Sequence, residues 1–291
     1  MKKITSILPF LLIALLALLP LQGEAQSISR SKKKPATTTT TTKAKKKGQP
    51  STGRTSSKTI TKSNPNEINV STEKQFLDAL GSNKTIVIQK SINLSSIIDY
   101  QLKLSGYKNL TIKGVKPSIR LGVSKGENLV LEFDSCENIS ISNLILGHEE
   151  VLWCGAGVLR FDNCKGVSIS SCDIYGCGYY GIEMWYTDNF VCANSNIHDC
   201  WTEMLDISHS NNITFKNTTI KDSACGTIMY VSSSNQVQFE NCTLIQSTKN
   251  SNDHWKSFSL SCDIRLINCT IRSVNTLGDT QYIKQSGCKW Y

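Results

Sequence analysis

Apolar residues recur along the chain at a nearly fixed interval between residues 139 and 264. The positions that define this interval are Ile139, Val167, Phe190, Ile213, Val237 and Ile264. From Val167 to Val237 the steps are 23, 23 and 24 residues, and the two outer steps are 28 and 27. Around each position apolar and small polar residues alternate, as they do in half-buried strands. A repeat of this length predicts a solenoid whose coils bury their apolar faces against each other.

A second column of residues lies four positions after each of these apolar residues. It consists of Asn143, Ser171, Asn194, Asn217, Asn241 and Asn268. Asparagine tolerates left-handed backbone dihedrals, and its amide can bond to the next amide in a stack. We therefore expect a tight turn at this point of every coil. Helices are disfavoured in the repeats, because β-branched residues, Asn, Ser and Gly dominate them.

The coils that end in this asparagine column resemble those of the pectate-lyase-like superfamily of right-handed parallel β-helix proteins. The resemblance extends from about Asn69 to the end of the sequence. It implies an all-β fold, a single-stranded right-handed parallel β-helix with coils of about 23 residues. It also implies that the asparagine turn joins the second and third sheets, and that the outer face of the first sheet forms the substrate groove. Because this fold serves lyases, hydrolases, epimerases, adhesins and phage tailspikes, the activity has to be argued from the site.

Three segments of the chain differ in composition. Residues 1–25 combine Lys2 and Lys3 with an apolar run and a small-residue cleavage site, which indicates a bacterial secretory signal peptide. Residues 26–66 are rich in Thr and Lys and almost lack large apolar residues, so we predict a disordered basic linker. Residues 67–291 are predicted to form one β-helix domain. Within it, Ser71–Gly81 is a short helix that covers the end of the solenoid.

The positive charge of the chain belongs to the linker. The linker carries eleven Lys and Arg residues and no acid, whereas the whole chain has a formal net charge of +9 and the part from Glu67 onward has −3. Such a linker could hold the protein on an anionic cell-envelope surface, or it could be a soluble spacer. We expect no nucleic-acid partner, since the folded part lacks a basic face. We expect a monomer that is secreted, periplasmic or attached to the cell surface.

Twelve cysteines in an exported chain favour disulfide bonds. Equivalent positions of neighbouring coils hold the candidates Cys136 with Cys164 and Cys242 with Cys269. The turn residues Cys154, Cys177 and Cys200 also fall at matching positions of three successive coils, and Cys225 lies one place off. Neighbouring coils lie about 4.8 Å apart, which is within the Cα separation of a disulfide. The alternative is a column of free thiols that pack inward as small apolar side chains. The sequence has no CxxC pair, so a zinc site is not expected.

One outward row of the first sheet carries charged residues on successive coils. It consists of Glu132, Arg160, Glu183, Asp206 and Tyr230. On adjacent strands the carboxylates of Glu183 and Asp206 would lie about 5 Å apart, and two like charges at that distance do not both ionise easily. The two could share a proton as acid and base, bind Ca²⁺, or join Arg160 in a surface ion-pair ladder.

These residues suit two kinds of polysaccharide cleavage. In a hydrolase, carboxylates about 5 Å apart suit a nucleophile mechanism. In a lyase that acts on a uronate, Ca²⁺ held by Glu183 and Asp206 would neutralise the substrate carboxylate, while Arg160 or His198 would take the proton. The resemblance implies the second arrangement as well, since lyases of the superfamily commonly combine an Arg or Lys base with Ca²⁺ held by acids.

Aromatic residues surround this row. The candidates for stacking on sugar rings are Trp185, Trp201, Tyr179, Tyr180 and Tyr230. We therefore predict a secreted protein that cleaves a polysaccharide at the outer face of the first sheet. We favour an acidic glycan as its substrate. The motif sets of the superfamily's hydrolases and the Trp-x-Asp-His motif of its lyases are absent from the sequence. Their absence keeps open the alternative of a non-catalytic glycan-binding or structural surface protein.

Overall fold

A computed structural model describes residues 66–94, 102–124, 128–149, 156–176, 178–249 and 255–291. The predicted signal peptide and residues 26–65 of the predicted linker lie outside these ranges, as do Cys154 and Cys177. Within the described ranges no helix combines the length and the apolarity that crossing a membrane requires. The ranges cover most of the predicted β-helix domain.

The chain coils through three sheets, which we number in the order in which one coil visits them. The first sheet contains β4 (Lys103–Ser105), β7 (Leu131–Asp134), β10 (Leu159–Asp162), β13 (Tyr180–Trp185), β16 (Glu203–Ser208), β19 (Thr227–Ser232) and β22 (Phe258–Leu260). The second contains β1 (Glu67–Val70), β2 (Lys84–Ile88), β5 (Lys108–Gly114), β8 (Glu137–Ser142), β11 (Lys165–Ser170), β14 (Asp188–Ala193), β17 (Asn211–Lys216), β20 (Asn235–Glu240), β23 (Ile264–Ile267) and β25 (Ile283–Ser286). The third contains β3 (Ile92–Asn93), β6 (Arg120–Val123), β9 (Ile145–His148), β12 (Asp173–Tyr175), β15 (Asn196–His198), β18 (Thr219–Lys221), β21 (Thr243–Gln246), β24 (Thr270–Ser273) and β26 (Lys289–Trp290). Neighbouring strands pair in parallel, and the predicted right-handed parallel β-helix, of about seven turns, is confirmed.

The strand register confirms the predicted repeat. In the second sheet, Val167 on β11 pairs with Ile139 on β8 and with Phe190 on β14. Ile213 and Val237 continue the same column on the next two strands. All five side chains are buried, because alternate residues of each strand point into the coil.

A stack of phenylalanine rings runs through the core. Phe133 and Phe161 enter it from the first sheet, with ring centroids 5.2 Å apart. Phe190, Phe215 and Phe239 continue it from the second sheet, with successive centroid distances of 5.6 and 4.9 Å. The two parts meet where the centroid of Phe161 lies 5.7 Å from that of Phe190. Phe161, Phe190 and Phe215 therefore each lie between the rings of the two neighbouring coils.

Residues in the left-handed region form the turn between the second and third sheets. They are Asn143, Ser171, Asn194, Asn217, Asn241 and Asn268, with φ between 48° and 53°. Asn217 Nδ2 donates to Asn194 Oδ1 at 3.2 Å, and Asn241 Nδ2 donates to Asn217 Oδ1 at 3.3 Å. Gly287 continues the column with a φ of 66°. The predicted asparagine turn is confirmed, and it supplies both the left-handed dihedral and amide bonds between coils.

Replacing Asn217 by Ala should lower the free energy of unfolding by about 1–2 kcal/mol, because alanine is strained in the left-handed region and cannot form the amide bonds. Asn217→Gly should cost less, since glycine adopts this φ without strain. Urea unfolding of both variants measures the two values. A larger loss for the glycine variant than for the alanine variant would contradict this explanation of the column.

A short helix covers the first coil, as predicted. It is α1 (Glu73–Ala79), and Thr72 caps it by accepting a hydrogen bond at Oγ1 from the backbone N–H of Gln75 at 3.3 Å. Phe76 is fully buried against the core of the first coil. The helix ends before Gly81, whose φ of 156° lies close to the extended region. The helix thus shields apolar side chains that the open end of the solenoid would expose.

A column of small side chains lies three positions before the buried apolar residues Ile139, Val167, Phe190, Ile213 and Val237 of the second sheet. Some coils have a thiol at this position and others have a hydroxyl. The buried members of this column are Cys136, Cys164, Thr187, Ser210 and Ser234. Cys164 Sγ donates to the carbonyl oxygens of Phe133 at 3.4 Å and Asp162 at 3.3 Å. Thr187 Oγ1 likewise donates to the carbonyl oxygens of Phe161 on the preceding coil and Trp185 on its own coil, and Ser234 Oγ donates to those of Ile207 and Ser232. A thiol and a hydroxyl therefore fill the same role in this turn.

The cysteine pairs predicted to form disulfides are neighbours in the structure. Cys136 and Cys164 lie at equivalent places on adjacent coils as free thiols, and so do Cys242 and Cys269. Disulfide formation at these pairs is thus not shown and stays a prediction for the protein under oxidising conditions. Of the predicted turn cysteines that the structure describes, Cys200 is buried and lies at the start of the turn before β16.

For the reduced protein we expect Cys164→Ser to lower the free energy of unfolding by less than about 1 kcal/mol, because serine occupies this position on later coils. If oxidation joins Cys136 to Cys164, the same variant should instead lose about 2–4 kcal/mol relative to the oxidised parent. Urea unfolding with and without reductant, together with a thiol titration, separates the two states. A loss well above 1 kcal/mol under reducing conditions would contradict the equivalence of thiol and hydroxyl.

Candidate functional site

The predicted outward row of the first sheet is confirmed by the strand register. Arg160 on β10 pairs with Glu132 on β7 and Glu183 on β13. Glu183 in turn pairs with Asp206 on β16, and Asp206 with Tyr230 on β19. The residues on either side of this row point into the core and are buried. The period of two in these strands thus brings all five predicted side chains to one face.

The acids of this row are buried although they lie on the outer face. Glu183 is 5 % exposed and Asp206 is 7 % exposed. Arg160 Nε donates to Glu183 Oε2 at 2.6 Å, which compensates the charge of that carboxylate. At the N-terminal end of the row, Lys103 Nζ lies 3.4 Å from Glu132 Oε1 and is paired with a further acid of β7. Glu132 and Glu183 therefore belong to an ion-pair ladder, which is one of the three arrangements that the sequence left open.

Asp206 differs from its neighbours because no basic side chain pairs with it among the described residues. Its Oδ1 accepts a hydrogen bond from Ser208 Oγ at 2.9 Å. Burial, with smaller contributions from the charges of Glu183 and Glu203, raises the pKa of Asp206 to about 6. The row therefore joins a carboxylate held by arginine to a carboxyl that carries its proton in weakly acidic solution. Such a difference between neighbouring acids is typical of an acid and a base with separate roles.

Sequence reasoning did not identify Glu203 as part of this site. Glu203 begins β16 and pairs with Tyr180 on β13. Burial raises the pKa of Glu203, and burial together with the charges of Glu203, Asp206 and Glu183 raises the pKa of Tyr180 to about 12. The apolar residues of the sequence predict that this strand begins at Met204, so Glu203 falls in the preceding turn. Met204 and Leu205 are both buried in the structure, which breaks the alternation at the start of the strand.

The predicted aromatic residues flank the row on both sides. Tyr179 and Trp201 precede β13 and β16, and they are 45 % and 52 % exposed. Trp185 ends β13 and is 46 % exposed, while Tyr230 lies in the row itself and is 38 % exposed. Tyr180 is half-buried beside the acids. Exposed rings on both sides of a polar row can stack on the apolar faces of sugar rings.

His198 lies apart from the predicted row. It ends β15 in the third sheet, where its Nε2 is 3.0 Å from Asp173 Oδ1 and its Nδ1 is 2.6 Å from Asp199 Oδ2. Its ring stacks on that of Tyr175, with centroids 5.4 Å apart. The structure thus assigns His198 to a polar cluster on another sheet from Glu183, and its catalytic role stays a prediction without support from this position.

The acids of the first sheet do not by themselves complete a calcium site. Among the residues that the structure describes, no cluster of three or more His, Cys, Asp or Glu side chains is arranged to hold a metal ion. Calcium takes about six to eight oxygen ligands, whereas Glu183 and Asp206 offer two carboxylates and Arg160 already occupies one oxygen of Glu183. Binding of Ca²⁺ by Glu183 and Asp206 therefore remains a prediction for experiment.

The raised pKa of Asp206 predicts a pH dependence of stability. In the unfolded chain an aspartate releases its proton near pH 4, whereas folded Asp206 keeps it until about pH 6. The free energy of unfolding should therefore decrease as the pH rises from 4 to 6, by an amount on the order of 2–3 kcal/mol that Asp206→Asn abolishes. Urea unfolding at several pH values measures this difference. Asp188→Asn on the second sheet is the matched control and should keep this decrease. If the free energies of unfolding of the parent and of Asp206→Asn differed by the same amount at every pH, the raised pKa of Asp206 would be contradicted.

Comparison with known proteins places the chain among β-helix proteins. The family profile of the right handed beta helix region matches residues 105–271. No curated protein is similar to the chain in sequence. Among solved structures, Geobacillus virus E2 ORF18 is similar with a TM-score of 0.59, 14% identity, and coverage of 75% of this chain and 48% of that one. The chain therefore spans about half the length of that protein.

Two further structures are similar over most of their length. An alginate lyase from Paenibacillus sp. str. FPU-7 has a TM-score of 0.50 and 12% identity, over 77% of this chain and 95% of that one. The pectate lyase PelN from Paenibacillus sp. 0602 has a TM-score of 0.55 and 10% identity, over 79% of each chain. At these identities the likeness shows a shared fold.

Proposed function

Because the chain belongs to the right-handed β-helix family, we propose that it cleaves a polysaccharide by a hydrolase-type reaction on the outer face of its first sheet. One observation carries the proposal, namely a carboxyl with a raised pKa, Asp206, on the strand next to an arginine-paired carboxylate, Glu183. The similarity to an alginate lyase and a pectate lyase, and the exposed aromatic rings along the row, support a polysaccharide as the substrate.

In the proposed reaction Asp206 is the general acid. Its proton passes to the oxygen of the glycosidic bond as that bond breaks, so the leaving sugar departs as an alcohol. Glu183 attacks the anomeric carbon and forms a covalent ester, since strands about 4.8 Å apart place the two carboxyls near the separation of about 5 Å that suits a nucleophile. Water then hydrolyses the ester while Asp206 takes back a proton.

Neighbouring residues hold these two groups in place. Arg160 orients Glu183 through the 2.6 Å hydrogen bond and keeps its charge compensated until the sugar arrives. Ser208 fixes Asp206 by donating to Oδ1, so in the proposed reaction Oδ2 carries the proton that passes to the substrate. Trp185 and Trp201 on opposite sides of the row would hold successive sugar rings.

The lyase reaction that the sequence also allows receives less support. It needs Arg160 or His198 to take a proton from the substrate. Arg160 donates a hydrogen bond to Glu183. Its guanidinium holds its proton tightly, so little neutral guanidine is present to act as a base. His198 lies on the third sheet. We therefore favour hydrolysis, while cleavage by elimination remains an outcome that the product assay detects.

A product assay of the full-length protein tests the proposal. The protein is incubated with a panel of polysaccharides, each with added Ca²⁺ and with a chelator. New reducing ends without ultraviolet absorbance at the cut ends would support hydrolysis. Absorbance from unsaturated ends would identify a lyase and contradict the mechanism given above. No product from folded protein across the panel would contradict catalysis altogether.

A non-catalytic glycan-binding protein is the second candidate function. The observation that favours it is the exposure of Tyr179, Trp185, Trp201 and Tyr230, which would bind sugar rings with or without cleavage. Binding to a glycan array without any product would support this second function.

Export and attachment to an anionic envelope surface are also proposed, on the basis of residues 1–66. Cell fractionation of the full-length chain tests both.

A further inference from the structure

The charge of the first-sheet face limits the substrates that it can accept. The strands of this sheet carry the acids Glu132, Asp134, Asp162, Glu183, Glu203 and Asp206. The same strands carry two bases, Lys103 and Arg160. The face thus has an excess of acids, in contrast to the basic linker that gives the whole chain its positive net charge.

Both bases of the face are already engaged with acids of the protein. Lys103 Nζ lies 2.9 Å from Asp134 Oδ2 and 3.4 Å from Glu132 Oε1. Arg160 Nε lies 2.6 Å from Glu183 Oε2. A substrate carboxylate or sulfate would have to displace one of these internal partners, and it would leave a buried acid uncompensated.

Two side chains of the site already respond to this negative field. The neighbouring acids contribute, after burial, to the raised pKa of Asp206 and of Tyr180. A negatively charged substrate group would be repelled in the same way, because two negative charges within a few ångströms of each other are both destabilised. Uncharged sugar hydroxyls would be accepted instead, since carboxylates take hydrogen bonds from them and exposed rings stack on their C–H faces.

We infer that the substrate is a glycan whose sugar units at the first-sheet face carry no carboxylate or sulfate. This inference rests on the proposed function, and it replaces the expectation of an acidic glycan that the sequence suggested. The face would select against anionic chains by repulsion, and it would admit neutral or amine-bearing sugars. Calcium could bridge an anionic chain to the acids, so the test has to include that ion.

The test compares each anionic polymer of the product assay with its charge-neutral form. Polygalacturonate is paired with its fully methyl-esterified form, and alginate with its carboxyl-reduced form. With the full-length protein, we expect the neutral member of a pair to be bound and cut at least about tenfold better, with little dependence on salt. An anionic member that is preferred, with or without added Ca²⁺, would overturn the inference but leave the proposed function standing. Neither binding nor product in any pair would overturn both.

A charge variant makes the test independent of the choice of sugar. Asp162 lies at the edge of the face and has no role in the proposed chemistry. Asp162→Lys should improve binding of the anionic member of a pair by about three- to tenfold without improving that of the neutral member. Asp188→Lys, on the second sheet, is the matched control and should change neither. Equal effects of the two variants would contradict selection by the first-sheet face.

Discussion

Replacing Asp206 by Asn should reduce polysaccharide cleavage by about 10²- to 10⁴-fold, because the amide cannot deliver a proton to the leaving oxygen. The change preserves size and the hydrogen bond from Ser208, so substrate binding should change little. The cleavage rate of the parent should fall as the pH rises above about 6, the pKa of Asp206, since the acid is then ionised. Initial rates of reducing-end release over a range of pH measure both effects.

The control for this variant is Asp188→Asn. Asp188 begins β14 in the second sheet, is partly exposed and accepts a hydrogen bond from Asn211 at 3.0 Å. It is therefore the same residue type as Asp206 on a different sheet. Asp188→Asn should retain the cleavage rate of the parent. If Asp206→Asn kept more than about a tenth of the rate, Asp206 could not be the general acid.

Phe215→Ala should lower the free energy of unfolding by about 3–5 kcal/mol, the largest stability effect that we expect from a single change. Phe215 is fully buried, and its ring lies between those of Phe190 and Phe239 at centroid distances of 5.6 and 4.9 Å. Its removal would leave a cavity that coils on both sides cannot close, because their backbones are fixed by the parallel sheets. Equilibrium unfolding in urea measures the loss.

Val191→Ala is the control for this prediction. Val191 lies on the neighbouring strand of the same sheet, but it points outward and is 38% exposed. Its truncation should change the free energy of unfolding by no more than about 0.5 kcal/mol. A loss below about 1 kcal/mol for Phe215→Ala would mean that the phenylalanine stack does not hold adjacent coils together.

The repeat and the turn could be predicted because the solenoid imposes the same geometry on every coil. Val167 and Phe190 pair as their spacing predicts, and Asn217 adopts the left-handed dihedral for which asparagine is suited. The row that contains Glu183 and Asp206 followed from the same logic, since a period of two fixes which residues of paired strands face outward.

The rest of the site depends on turns whose length varies from coil to coil, so the repeat does not fix the residues in them. Glu203 begins its strand one residue before the predicted start, and this places it beside Tyr180 and Asp206. His198 follows an apolar residue of a third-sheet strand, and the sequence offered no sign that this strand faces away from the predicted row. The state of the cysteines also lies beyond sequence reasoning, because stacked positions suit a thiol pair and a disulfide equally.

A comparison of Glu183→Gln with Glu240→Gln tests whether the first sheet carries a catalytic site. Both acids pair with a base, Arg160 in the first case and Lys216 in the second, but Glu240 lies on the second sheet. On the substrate cut best in the product assay, we expect Glu183→Gln to lose about 10³-fold or more in reducing-end release. We expect Glu240→Gln to keep the rate of the parent. Equal rates for the two folded variants would contradict a catalytic site on the first sheet.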